Sequence, residues 1–207
     1  MKLRHVIFPT FFLSHLTFSK KQRIDDVYAP KTFYGIDTIS NSKRPRTSND
    51  WATWRKDNPD SEYVEFFFVC NAEKLKDECE SAASTFKKVS IKSEFVGKLN
   101  FLAVDASAKF ARMFTESIGL TKEAVEKYPI FTAISAPFPE FDESGKLQEE
   151  VTFNKKMKVF KANDLAFNEA NILELARGIV AGTQDFIEAE HPGKKSWKRA
   201  KERSGEL

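Results

Sequence analysis

Residues 63–70 read Tyr63-Val64-Glu65-Phe66-Phe67-Phe68-Val69-Cys70, an apolar run interrupted only by Glu65. Such a run, without period-two alternation, predicts a strand buried on both faces. Downstream, Leu75, Cys79, Ala82, Ala83, Phe86 and Val89 recur at helical spacing. They form one apolar stripe and predict a helix over residues 72–89. Residues 99–104 make a second buried strand, ended by Asp105. Phe110, Met113 and Phe114 suggest a short helix, with Ser107 as its candidate cap. A strand–helix–strand order makes the two strands parallel neighbours joined by a crossover.

Working outward, the second half changes character. Residues 130–135 read as a strand entered through Tyr128-Pro129. Residues 138–141 lead into Asp142-Glu143-Ser144-Gly145, a turn sequence, and 151–153 read as the return strand of a hairpin. Ile172, Leu175, Ala176, Ile179 and Val180 form the stripe of a last helix, capped near Asn168 and ended by Gly182. The order from residue 63 is βαβ, α, ββα. Residues 25–60 look like an irregular connector punctuated by Pro30, Pro45 and Pro59, with Trp51 and Trp54 on one helical turn. The expected organisation is a basic arm and connector over 1–60, a domain over 61–185, and a basic tail over 186–207.

The chain has 207 residues, 41% hydrophobic and 30% charged, enough for a core and too apolar for disorder. No apolar run reaches the roughly 20 residues of a membrane-spanning helix. Two cysteines cannot build a disulfide-rich scaffold, and no Cys/His spacing suits zinc, so neither metal nor cofactor is expected. Charge is segregated. Residues 1–50 carry +5, residues 191–207 carry +4, and 51–190 carry −6. An acidic body thus bears two basic arms, which suit an anionic surface or an acidic partner. Lys2, Arg4, Lys20, Lys21 and Arg23 supply the first arm, in a stretch free of acidic residues up to Ile24. That stretch reads as a mitochondrial targeting or anchoring segment, with a secretory signal as the alternative. Lys194, Lys195, Trp197, Lys198 and Arg199 supply the second. They suit anionic lipid. Nucleic-acid contact is the weaker alternative.

The strand order, with a proline directly before the third strand, resembles the thioredoxin fold. The residues that carry this are Val64-Glu65-Phe66-Phe67, Leu102-Ala103-Val104-Asp105 and Tyr128-Pro129-Ile130-Phe131. Leu99-Asn100-Phe101 and Leu120-Thr121-Lys122 extend the likeness towards the atypical thioredoxin-related transmembrane proteins with a degenerate active site. The resemblance covers residues 62–183. It implies an α/β fold with a central mixed sheet and flanking helices, a cis peptide before Pro129, and Glu65 in the place of a buried proton-shuttling acid, which without the nucleophile is left as a relic or a hydrogen-bonded core group.

Thiol–disulfide exchange needs two cysteines separated by two residues at a helix N-terminus. Cys70 and Cys79 are nine apart, and Val64 and Cys79 fifteen apart, wider than the resemblance implies. Placing Cys79 at the resolving position puts Lys76 at the nucleophile position, and a lysine cannot exchange disulfides. Each cysteine alone reads as a buried, inert thiol. A Cys70–Cys79 bond requires the intervening loop to fold back, which spacing does not decide. His5, His15 and His191 all fall outside the expected domain, which leaves it no histidine base.

The expectation is a redox-inactive thioredoxin-like accessory subunit of a large assembly, with other protein subunits as partners. The favoured host is a mitochondrial membrane complex such as one of the respiratory chain. One alternative is an atypical oxidoreductase or redox sensor of the endoplasmic reticulum or mitochondrion, using Cys79 with or without Cys70. Another is a mitochondrial-ribosome-associated protein.

Overall fold

Three consecutive phenylalanines in an extended chain must point to alternate faces, so β3 (Val64–Cys70) can be stable only with both faces covered. Every residue of β3 is buried. The computed structural model describes residues 31–42, 45, 47–59, 62–108, 111–135, 137–162, 168–191, 194, 198, 201 and 202. Residues 1–30, with Lys2, Arg4, Lys20, Lys21 and Arg23, lie outside them, as do Lys195, Trp197 and Arg199.

The elements in chain order begin with a hairpin of β1 (Thr32–Phe33) and β2 (Ile36–Asp37), then α1 (Ser48–Asp57) and β3. They continue with α2 (Lys76–Ser90), β4 (Leu99–Asp105), α3 (Ala111–Ser117), α4 (Lys122–Lys127) and β5 (Ile130–Ser135). The last are α5 (Glu149–Asn154), β6 (Lys156–Ala162), α6 (Glu169–Ala181) and β7 (Ile187–Glu190). The molecule is α/β, with a mixed sheet in the order β4-β3-β5-β6-β7. β3 and β4 are parallel, as the strand–helix–strand order predicts. β5, β6 and β7 join antiparallel in turn.

Strand alternation sorts the core. Val64, Phe66, Phe68 and Cys70 face α2 and α6, together with Phe131 and Ala133 of β5. Phe67 and Val69 face α3 and α4, with Leu102, Val104, Ile130 and Met157. α6 starts where its sequence says it should: Asn168 accepts from the Asn171 amide, and Gly182 ends it in the left-handed region at φ 68°.

Several expectations change. Residues 151–153 belong to helix α5, with Val151 exposed and Thr152 and Phe153 buried. Three residues are too few for period two to be told from a helical turn. The strand that returns along β5 is β6, with Ala133 opposite Phe160 at the centre of the pairing. Ser107 donates its amide and hydroxyl to Asp105 Oδ1 at 2.9 and 2.6 Å; Phe110 and the helix start that Ser107 would cap lie outside the described residues. The peptide before Pro129 is trans. The connector carries regular structure: the β1–β2 hairpin, and α1, closed by a capping box between Thr47 and Asp50. β7 lies in the stretch read as tail, and His191 directly after it is 2% exposed, packed on Phe153 at 5.1 Å between ring centroids. This histidine is therefore part of the folded body, not outside it.

Candidate functional site

In a sheet with parallel strands, loops beyond the carboxyl ends of those strands converge, and sites form there. Here that end holds the cysteines. Cys70 closes β3, opposite Asp105 of β4. On the other side Val69 pairs with Ile130, so continuing the register sets Pro129 across from Cys70. The chain then turns back at once. The Asn71 carbonyl accepts from the Lys74 and Leu75 amides, and α2 begins at Lys76. Asp105 pins this turn, accepting from the Ala72 amide at 3.5 Å while also holding Ser107. Cys70 O accepts from the Ala106 amide at 2.8 Å, which ties the two loops together.

The fold-back settles what spacing left open. Cys70 and Cys79 are joined by a disulfide with Cα atoms 5.8 Å apart, well within the usual range. The buried free-thiol reading of each cysteine is thereby replaced. Both cysteines are 0% exposed. Lys76, three residues before Cys79 and first in α2, is exposed. Cys70, Cys79, Lys76 and Pro129 thus share one end of the sheet.

Glu65 does not join them. It is 3% exposed, but its side chain leaves β3 on the face opposite Cys70. It also stands five residues back, roughly 17 Å along a strand that rises about 3.3 Å per residue. A proton cannot pass directly from there to either sulfur, so Glu65 is not the shuttling acid of this pair.

The β1–β2 hairpin, which sequence reading missed, packs beside β4 and reaches the start of α2. Phe33 stacks on Phe68 with ring centroids 6.2 Å apart. The Tyr34 hydroxyl donates to the Lys76 carbonyl at 3.4 Å. Partial burial, then the carboxylates of Glu80, Asp105 and Asp77, push the Tyr34 phenol above its ordinary pKa. The signal in the sequence was Tyr34-Gly35 between apolar residues, a two-residue hairpin turn whose first position departs from the usual asparagine.

At the opposite end of the sheet a cleft of about 580 Å³ opens between the C-terminus of α6 and the starts of β3 and β4. Glu62, Lys98, Lys158 and Asp185 rim it over an apolar floor that includes Leu99 and Phe186. Partial burial raises the Glu62 pKa, but hydrogen bonds from Lys158 and Ser135 outweigh it and hold the carboxyl below its usual range. Of the basic tail, Lys194 pairs with Glu190 and Lys201 with Glu150, each at 3.4 Å, while Lys198 is exposed. Such exposed pairs are worth little, typically under about 1 kcal/mol. Among the described residues no three His, Cys, Asp or Glu side chains are grouped to hold a metal ion. No described helix is long and apolar enough to cross a membrane.

The crosslink itself has a measurable weight. It closes a loop of about ten residues, for which chain entropy gives roughly 2–3 kcal/mol. The double variant C70A/C79A should lose that much unfolding free energy in urea, with the fold retained. A loss below about 0.5 kcal/mol would show that the bond does not restrain the unfolded chain.

No protein-family model matches this chain, and no curated protein matches it.

Proposed function

We propose that this is a thioredoxin-like protein that has lost exchange chemistry and serves as a non-catalytic subunit of a larger assembly. The sheet order supports the fold half of the reading. The strand with Cys70 is an interior strand, its parallel neighbour ends in Asp105, and the proline-entered strand runs antiparallel beside it. Thr38 adds an isolated parallel bridge outside β4, at Ala103. The trans peptide before Pro129 and the added strand β7 depart from the pattern.

One observation carries the functional half: both sulfurs are fully buried and bonded to each other, while the exposed helix-start position holds Lys76. Exchange requires an accessible thiolate. What remains is a rigid module, and fold alone assigns it no chemistry. The disulfide also bears on location. Thiols stay reduced where glutathione and thioredoxin act, so a buried disulfide favours an oxidising compartment. We therefore place the host assembly in the endoplasmic reticulum lumen, or on a face of the mitochondrial inner membrane away from the matrix. This disfavours the mitochondrial ribosome.

The test is native-gel migration of the full chain from gently solubilised membranes, with mass spectrometry of the band and a parallel dithiol-driven exchange assay. Migration far above 23.7 kDa with defined partners, and exchange at the uncatalysed rate, are expected. A free monomer, or catalytic turnover, overturns the reading.

A further inference from the structure

The cleft at the far end of the sheet from the disulfide combines apolar walls, charged groups of both signs and an apolar knob beside it. Val64, Leu99, Ile179 and Phe186 line it, as does Val180, which is 39% exposed. Lys98 reaches it from a tight turn over Phe95-Val96-Gly97-Lys98. The Lys98 amide donates to the Phe95 carbonyl at 3.0 Å. Val96 has φ −58° and ψ 125°, and Gly97 has φ 76°. These are the angles of a type II turn, which calls for glycine at its third position. Val96 takes the corner and is 75% exposed.

The knob is held in place. Phe95, directly before it, is 2% exposed, with its ring centroid 5.7 Å from that of Phe101. One residue further back, Glu94 accepts two hydrogen bonds from the Arg177 guanidinium of α6, at 2.9 and 3.0 Å. An apolar side chain fixed on a rigid turn loses little freedom when a partner covers it.

Charge selects the partner. Glu62, Lys98, Lys158 and Asp185 are the charged residues of the cleft. Glu62 and Lys158 pair with each other at 2.6 Å. Lys98 and Asp185 are exposed, and neither joins an ion pair among the described residues. A partner that covers the cleft must therefore bring a cation to Asp185 and an anion to Lys98, or bury both charges unpaired. An anionic lipid or nucleic-acid surface would set like charge against Asp185. A second copy of the chain brings both signs on the same two residues. In a two-fold contact residue i meets j while j meets i.

We propose that this end of the sheet is a self-association surface. Two chains join about a two-fold axis, Val96 of each entering the cleft of the other and Lys98 of each facing Asp185 of the other. One turn and one cleft per chain make a small contact, below about 1,200 Å² in total, so the dimer is weak and dissociated near 1 µM.

Sedimentation equilibrium of the purified, oxidised full chain tests this. Between about 1 and 300 µM the mass should rise from 23.7 kDa towards twice that value. V96E should weaken association at least about tenfold, since it would bury a charge in an apolar cleft. K98D and D185K should each weaken it about tenfold or more, because each sets like charges together twice. The double variant K98D/D185K restores opposite signs and should return to within about threefold of the parent. All these positions are exposed, so urea melts near 1 µM should match the parent's. A monomer at 300 µM, a dimer indifferent to these variants, or single variants that the double does not rescue would each overturn the proposal. Self-association is independent of the assembly proposed above. The purified chain brings no other subunit, so a monomer here removes the dimer and leaves the assembly to its own native gel.

Discussion

Phe86→Ala is expected to cost about 4 kcal/mol of unfolding free energy, the largest loss from any single truncation argued for this chain. Phe86 lies in the middle of α2 and is 0% exposed. Its ring meets four others, at centroid distances of 5.1 Å to Phe66, 6.0 Å to Phe68, 5.3 Å to Phe101 and 5.5 Å to Phe131. These come from β3, β4 and β5, so this one side chain ties the helix to three strands. Truncation removes the transfer free energy of the ring and leaves a void that a sheet cannot close by sliding. Each lost ring pair adds up to about 1 kcal/mol beyond area. For a chain of this size the loss corresponds to a fall in Tm of roughly 8–16 °C. Val96→Ala, at a position 75% exposed, should change stability by less than about 0.5 kcal/mol. Urea melts of the two variants check both values. A cost under about 2 kcal/mol for Phe86→Ala would mean that the five rings do not form one interlocked cluster.

The same cluster explains what could be read in advance. β3 and β4 announce themselves because covered faces demand apolar residues with few breaks, here Glu65 and Asn100, and a strand of that length satisfies them. α2 and α6 show a single apolar stripe because each covers one face of the sheet. The missed elements lack such a demand. β7 reads Ile187-Glu188-Ala189-Glu190, and as an edge strand it presents one neighbour and much solvent, so polar residues serve it well. The β1–β2 hairpin is too short for any period to register.

The site was legible in part for a related reason. Cys70 and Pro129 fall at strand ends, and strand ends follow from the strands. The disulfide follows from something else, the tight turn at Asn71 and its anchorage to Asp105, which lies 34 residues away in sequence. No local pattern encodes that meeting. Glu65 was misplaced by the opposite error. Its motif sits on the right strand, but the face a strand residue points to is set by parity, and Glu65 and Cys70 differ by an odd number.

His191 shows how a residue assigned to a tail can govern the behaviour of the body. Burial against Phe153 holds its pKa down at about 4, against an ordinary value of 6.5. Desolvation is the cause: the imidazolium would have to exist away from water. The sign follows from linkage. The unfolded chain takes up a proton at His191 below pH 6.5, whereas the folded chain resists until about pH 4. The contribution is fully present above pH 6.5, is lost as pH falls towards 4, and does not change further below that. A difference of about 2.5 pKa units corresponds to roughly 3 kcal/mol at the acid limit. Carboxylates held low, such as Glu62, also lose their contribution in acid, but they do so identically in a variant that keeps them. The comparison of parent with His191→Phe therefore isolates the histidine. The variant should lose roughly 2–3 kcal/mol less than the parent between pH 7 and pH 4.5, measured by urea unfolding at each pH. Phenylalanine fits the apolar contact with Phe153 and carries no proton, so the variant should remain folded throughout. Parallel pH profiles for the two chains would show that His191 is protonated as readily in the fold as in water. The strand β7, which delivers it to that place, would then not be closed over it as described.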